Sequence, residues 1–357
     1  MANPQPPLLE VAELSVRIGE QLIVDSLSLR VAAGQCLGVV GESGCGKTMT
    51  ALAMIGLTPE HATVSGSVRL NGQELLGLGE QGLNQLRGRH VAMIFQEPQS
   101  ALNPVLTVGH QIAEMFIIHE RMGRGPAMAR AIELLEEVKV SDAHLRARAY
   151  PHQLSGGMRQ RVMIAMAIAC KPALLIADEP TTALDVTVQR DILELILDLG
   201  LSRNMGIVFI SHNLAVVARI AQHVLVMFDG RGVEFAPTAQ ALTAPAHPYS
   251  ADLVASIPVL GGPRDAMVTH SHSRTTFEAS IEPPTIIHGD QTNDECGYAH
   301  RCQQVRENCL KQRPPLRTLN AHHQVACLYP YGTESAALPV SEPNPEQRLE
   351  QSQEQTS

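Results

Sequence analysis

Gly41-Glu42-Ser43-Gly44-Cys45-Gly46-Lys47-Thr48 directly follows the aliphatic run Cys36-Leu37-Gly38-Val39-Val40. The eight residues match G-x-x-x-x-G-K-[ST] in the context that gives the pattern meaning, between a strand and a helix. Its glycines let the backbone curl so that N–H groups point inward at a phosphate. The N-terminus of the helix that follows adds partial positive charge. Gly41, Ser43, Gly44, Cys45 and Gly46 form the candidate cradle. Lys47 is placed to reach the β- and γ-phosphates, and the Thr48 hydroxyl to bind Mg²⁺. A Gly-rich turn without a ligand is the plainer alternative, and the strand before the pattern argues against it. A second aliphatic run, Leu174-Leu175-Ile176-Ala177, ends in Asp178-Glu179. Asp178, at the end of a strand, suits Mg²⁺, and Glu179 beside it suits polarising an attacking water. Alone, two acids after a strand are a solvated strand end. Paired with a phosphate loop they read as part of one site.

Working outward, Val91–Phe95, Ile207–Ile210 and Val224–Met227 are further short aliphatic runs that read as buried parallel strands. Stretches of helical spacing such as Gln189–Leu199 lie between such runs, which predicts an α/β fold with a mainly parallel sheet. At 357 residues the chain is long enough for two or three domains. Its 27 basic and 36 acidic residues leave a net charge of −9, so it has no global attraction for nucleic acid. The longest apolar run, Val162 to Cys170, stops at Lys171-Pro172 and is too short to span a membrane. The start, Met1-Ala2-Asn3-Pro4-Gln5-Pro6-Pro7, lacks the basic and apolar regions of a secretory signal. A cytosolic chain is expected, with its seven cysteines reduced.

Leu154-Ser155-Gly156-Gly157-Met158-Arg159-Gln160-Arg161 stands upstream of the second acidic strand. It resembles the signature motif of ATP-binding-cassette (ABC) ATPases. Other motifs of that family follow in the family's order. Gln96 after the strand Val91–Phe95 resembles the Q-loop glutamine, Ala183-Leu184-Asp185 the D-loop, and His212 in Ser211-His212-Asn213 the switch histidine. The resemblance covers Leu8–Phe235. It implies a P-loop ABC fold with a mainly parallel core sheet, an antiparallel β subdomain and a helical subdomain at about 97–170. It also implies ATP and Mg²⁺ as ligands, with Thr48, Gln96 and Asp178 around the metal and Glu179, His212 and Gln96 as catalytic residues. Ser155, Gly156 and Gly157 would serve a nucleotide held mainly by a second cassette in a head-to-tail dimer, and Asp185 of the D-loop is a further candidate for nucleotide binding. The position that stacks on adenine in the family corresponds to Ile18, an aliphatic residue without a stacking face.

A finer resemblance rests on Gln96-Glu97-Pro98-Gln99-Ser100-Ala101-Leu102-Asn103-Pro104, Val186-Thr187-Val188-Gln189 and Ala246-His247-Pro248-Tyr249. These are similar to dipeptide and oligopeptide importer ATPases, with nickel and metallophore importers as the alternative. Ser-Gly-Gly-Met in place of Ser-Gly-Gly-Gln resembles one of two ATPase subunits. The implied partners are a paralogous cassette, two integral membrane permease subunits and, indirectly, an extracytoplasmic solute-binding protein, at the cytoplasmic face of the inner membrane. A cassette acting on ribosomes or DNA would carry two P-loops or long coiled coils, and an exporter half would carry a fused membrane domain. Neither feature is present here.

After Gly261 the aliphatic runs thin out, and Cys296, Cys302, Cys309 and Cys327 follow. A cassette at 1–260, a small irregular C-terminal domain at 261–332 and a disordered, Glu-, Gln- and Ser-rich tail at 333–357 are expected. The four cysteines have no CxxC spacing, so a usual zinc ribbon is not indicated. Four thiolates suit either a [4Fe–4S] cluster or zinc, and four reduced cysteines without a ligand is the remaining reading. Importer ATPases of the resembled family carry a similar pattern, some with an iron–sulfur cluster. Arg301, Arg306, Lys311, Arg313 and Arg317 are expected to offset thiolate charge there. Cys36, Cys45 and Cys170 are expected to fill space. His270, His272, His322 and His323 are expected to be solvated.

Overall fold

The computed structural model describes residues 7–97, 101–182, 184–257 and 295–332. Its main sheet has eight strands. Five run parallel in the order β9 (His223–Phe228), β3 (Cys36–Val40), β8 (Gly206–Ser211), β7 (Leu174–Asp178), β6 (Val91–Ile94). Every residue of β3, β7 and β8 is buried. This is why they read as unbroken apolar runs: a parallel sheet is covered on both faces. A smaller antiparallel sheet, in the order β2 (Gln21–Val31), β1 (Leu9–Ile18), β4 (Ala62–Leu70), β5 (Gln73–Glu74), covers one face. Leu14, Val16, Leu27 and Leu29 of that sheet share a core with Leu37, Val39, Ile176, Val208 and Ile210. The other face packs on helices through Ile112, Phe116, Leu134, Val162, Ile164 and Ile196.

Register places the candidate residues at one end of the strands. Val40 pairs with Ser211, Asp178 with Ile210, and Ile94 with Ala177. The phosphate loop, Asp178-Glu179, His212 and Gln96 therefore all emerge at the carboxyl ends of the strands, where parallel α/β sheets bind ligands. Helices Val108–Glu120, Arg124–Glu137, Ala143–Arg146 and Gly156–Ile168 occupy the stretch expected to be helical.

The C-terminal segment departs from the expectation of an irregular unit of its own. β12 (His323–Val325) pairs with β10 (Arg231–Pro237), which itself pairs with β9, and β11 (Arg317–Asn320) adds the outer edge. The remainder of the segment includes two short 3-10 turns, Ala299–Arg301 and Glu307–Leu310. His323 is buried rather than solvated: it is 3% exposed and meets the Glu234 carboxylate at 2.8 Å. His322 is exposed as expected. His270, His272 and the tail from 333 lie outside the described residues.

Candidate active site

The phosphate loop bridges β3 and the helix Lys47–Met54. Gly44 and Gly46 lie in the left-handed region, at φ +84° and +98°. A Cβ on Gly46 would sit 2.7 Å from the Ile23 carbonyl oxygen, and one on Gly41 2.2 Å from that of Met227. Glycine at 41 and 46 is thus a requirement of close backbone packing. Lys47 is buried, and its Nζ donates to the Gly41 and Glu42 carbonyls, both at 2.8 Å. The ammonium group is held over the loop that a phosphate would enter. Ser43 and Thr48 are exposed, while Cys45 is buried beside Lys47 at 3.8 Å. Cys36 is buried and Cys170 half-buried, in keeping with space filling.

Asp178 is 2% exposed and lies beside the Thr48 side chain, and its Oδ1 has no partner. Burial raises its pKa above the usual carboxylate range. A buried carboxylate with an unused oxygen, next to a threonine hydroxyl, matches the hard-oxygen donor set of Mg²⁺. Glu179 follows in a strained left-handed conformation, φ +46°, anchored by its N–H to the Ile210 carbonyl at 2.9 Å. Three groups converge on its Oε2: the Thr182 hydroxyl at 2.9 Å, His212 Nδ1 at 3.0 Å and Gln96 Nε2 at 3.4 Å. Glu179, His212 and Gln96, proposed from separate stretches of sequence, are therefore brought together.

Other predicted residues stand apart from this cluster. Ser155 caps the helix Gly156–Ile168 by accepting from the Met158 N–H at 3.3 Å. Asp185 caps the helix Val186–Ser202 through the N–H groups of Thr187 and Val188. Gly157 packs against that second helix so closely that a Cβ would meet Val188 Cγ1 at 2.7 Å. Among the described residues, no hydrogen bond or ion pair joins Ser155, Gly156, Gly157 or Asp185 to the phosphate loop. Ile18 is half-buried at the end of β1, paired with Gln21 and Ala62. It is β2, through Ile23, that packs against the loop.

Sequence reasoning missed Thr182, Tyr249 and the role of Glu42. The Glu42 N–H donates to the Tyr249 hydroxyl at 2.8 Å. Tyr249 was visible only as part of Ala246-His247-Pro248-Tyr249, with no role attached. The basic residues of the C-terminal segment also have other partners than thiolates. Arg301 pairs with Glu42, Arg313 with Asp25 and Asp229, and Lys311 with Glu307, while Arg306 lies over the Tyr329 ring. Cys296, Cys302, Cys309 and Cys327 all line one cleft. Burial raises the pKa of Cys296 and Cys302 and pushes Cys327 up to about 12. Yet among the described residues no three His, Cys, Asp or Glu side chains come close enough to share a single metal ion.

A phosphate loop, an acidic strand end with a convergent glutamine and histidine, and a mixed sheet capped by an antiparallel one define an ABC-type ATPase. Residues 24–182 match the ABC transporter family, and residues 233–309 the C-terminal region of oligopeptide/dipeptide transporters. The chain is 41% identical over 333 residues to the oligopeptide transport ATP-binding protein OppD of Salmonella typhimurium, covering 92% of this chain and 96% of that one. It is 42% identical to the oligopeptide transport ATP-binding protein AppD of Bacillus subtilis, covering 85% and 90%. The dimeric cassette MJ0796 bound to ADP and Pi, in a post-hydrolysis state, superposes with a TM-score of 0.57 at 26% identity, covering 64% of this chain and 98% of that one. The chain belongs to the ABC transporter ATPases of the oligopeptide/dipeptide transporter family. Among its described residues no helix is long and apolar enough to cross a membrane.

Proposed function

We propose that this chain hydrolyses ATP to power import of di- or oligopeptides, working at the cytoplasmic face of the membrane with two permease subunits, a paralogous cassette and an extracytoplasmic binding protein. The observation that carries the catalytic part is the convergence of Gln96, Thr182 and His212 on one oxygen of Glu179. In this reading the cradle Gly41–Gly46 holds the phosphates. Lys47 moves from its two carbonyl partners to share charge with the β- and γ-phosphates. Thr48, Asp178 and Gln96 would hold Mg²⁺, which would supply positive charge to offset that of the phosphates. Glu179 Oε1 orients the attacking water, and His212 is fixed by its Nδ1 contact beside the γ-phosphate. Ser155, Gly156, Gly157 and Asp185 act on the partner's nucleotide. That none of them hydrogen-bonds to this chain's own loop among the described residues supports that division, as does the dimeric form of the similar cassette MJ0796. Ile18 would give adenine an aliphatic contact only. Domain limits at 260 and 332 go with this reading, although β12 ties the second unit to the first sheet.

The peptide cargo is supported by relatives named for oligopeptide transport. The test is uptake. Vesicles holding the assembled transporter take up labelled peptide with ATP, and Glu179→Gln keeps ATP binding but stops uptake. Nickel uptake without peptide uptake would transfer the proposal to the metal importers. The four cysteines are proposed to hold one [4Fe–4S] cluster. What supports that reading is that all four line one cleft, since four thiolates suit such a cluster. Anaerobically purified protein is expected to be brown with about four irons per chain. Zinc without iron would sink the cluster.

A further inference from the structure

We propose that Arg301 is a positioning residue of the nucleotide site: from the cysteine-bearing segment, it holds Glu42 of the phosphate loop and neutralises it, and so sets the affinity for ATP. The proposal rests on the ATP-site reading above.

Arg301 ends the 3-10 turn Ala299–Arg301, between Cys296 and Cys302. Its Nη1 and Nη2 donate to Glu42 Oε2 at 2.9 Å and Oε1 at 2.7 Å. This is the two-pronged geometry in which arginine and carboxylate pair best. The guanidinium also lies over the Phe228 and Tyr298 rings, at 5.8 and 5.5 Å, which orients it before any ligand arrives. Glu42 is pinned at three points: its carboxylate by Arg301, its N–H by the Tyr249 hydroxyl, and its carbonyl by Lys47. It is the second residue of the loop and the carbonyl on which the phosphate-binding ammonium rests. A second arginine of the same segment reaches the other side of the loop. Arg313 contacts Asp25 and Asp229, both at 3.4 Å. The Asp25 N–H donates to the Gly230 carbonyl, and the Gly230 N–H to that of Cys45. The segment thus touches the loop directly at Glu42 and is linked to Cys45 through Asp25 and Gly230.

Glu42 is an anionic side chain on a loop built to receive a triphosphate. Without Arg301 its charge opposes the incoming phosphates. With Arg301 the pair is neutral. The pair is about half exposed, 53% and 44%, so salt screens it and its effect is modest. Exposed pairs of this kind correspond to about a 1.5- to 5-fold change in a binding constant.

The experiment titrates a fluorescent ATP analogue into the full chain at low and high salt, and measures KM and kcat in the assembled transporter. Arg301→Ala is expected to weaken ATP binding about 1.5- to 5-fold at low salt and to raise KM with little change in kcat. High salt should bring the wild type toward the variant. In a Glu42→Gln background the effect of Arg301→Ala should fall by at least about half, because the charge to be neutralised is gone. Arg301→Gln, a milder change, serves where Arg301→Ala does not accumulate. An equal loss in both backgrounds, or a loss confined to kcat and thermal stability, would mean a structural role and overturn the proposal. Lys47→Ala separates the two readings. Loss of binding in Lys47→Ala with none in Arg301→Ala overturns the proposal and keeps the site. Unchanged binding in both overturns the site as well.

Discussion

Thr182→Val tests the catalytic carboxylate without touching it. The Thr182 hydroxyl donates to Glu179 Oε2 at 2.9 Å, the shortest of the three contacts on that oxygen. Valine keeps the shape and removes only the donor. A hydrogen bond to a charged group contributes about 1.5–3 kcal/mol. Thr182 is exposed, and water can replace it in part, so the net figure falls to about 0.5–1.5 kcal/mol. If that energy is felt when Glu179 orients the water, kcat falls by roughly 2- to 13-fold. KM should hold, because Thr182 makes no contact with the phosphate loop among the described residues. The backbone turn should also survive, since the Thr182 N–H bonds the Glu179 carbonyl regardless of side chain. The assay is steady-state ATP turnover by the assembled transporter. An unchanged kcat, or a raised KM with kcat intact, would refute the role given to Glu179 Oε2.

Gly46→Ala should cost about 1–3 kcal/mol through its positive φ, with a further clash against the Ile23 carbonyl, and abolish measurable ATP binding; a melting temperature within a degree of wild type would contradict this. Ser155→Arg should lose a helix cap of about 1 kcal/mol and block cassette pairing, while ATP binding by the separate chain persists; loss of that binding would contradict the head-to-tail arrangement. His223, its pKa lowered to about 4 chiefly by burial and secondarily by His322, is neutral in the folded chain. The unfolded chain therefore binds more protons between about pH 6.5 and pH 4. The stability this neutral form supplies is complete above that window and declines by roughly 3 kcal/mol as pH falls through it. His223→Phe, which keeps the stack on Phe235, should flatten that acid loss; an unchanged pH profile of thermal unfolding would count against it.

What was legible in the sequence shares one property: it is local. β3, β7 and β8 could be read within a residue of their ends because both faces of each are buried, leaving no polar residue to interrupt the pattern. The helix after the signature begins at Gly156, inside the motif itself, because the Ser155 cap lets both glycines join its first turn. What was illegible is long-range. Glu42 and Tyr249 are 207 residues apart, and Glu42 and Arg301 are 259 apart. No spacing rule connects such positions. His323 is the sharpest case: a histidine in a polar stretch reads as solvated, and only β12 pairing with β10 carries it to Glu234. Arg301 and Arg313 were hard to place for the same reason, since their acidic partners lie on the cassette.

Those partners explain how the C-terminal segment is held. Its own core is Ala299, Cys309 and Leu328, with Cys296 and Tyr329 against them. So few buried side chains cannot offset the entropy of ordering nearly forty residues at about 1–2 kcal/mol each. The remainder must come from the cassette or from a bound metal. Tyr298 supplies one link: its ring meets Phe228, His247 and Tyr249, and its hydroxyl donates to Asp252. Glu234 supplies another, accepting from the Ala246 and His247 N–H groups and from His323 while fully buried. Tyr249 belongs to both arrangements, packing on Tyr298 with its ring and holding the Glu42 N–H with its hydroxyl. The segment and the phosphate loop therefore lean on the same side chain. Tyr298 thus packs on the side chain that holds the Glu42 N–H, and the Glu42 carbonyl is one of the two on which Lys47 rests.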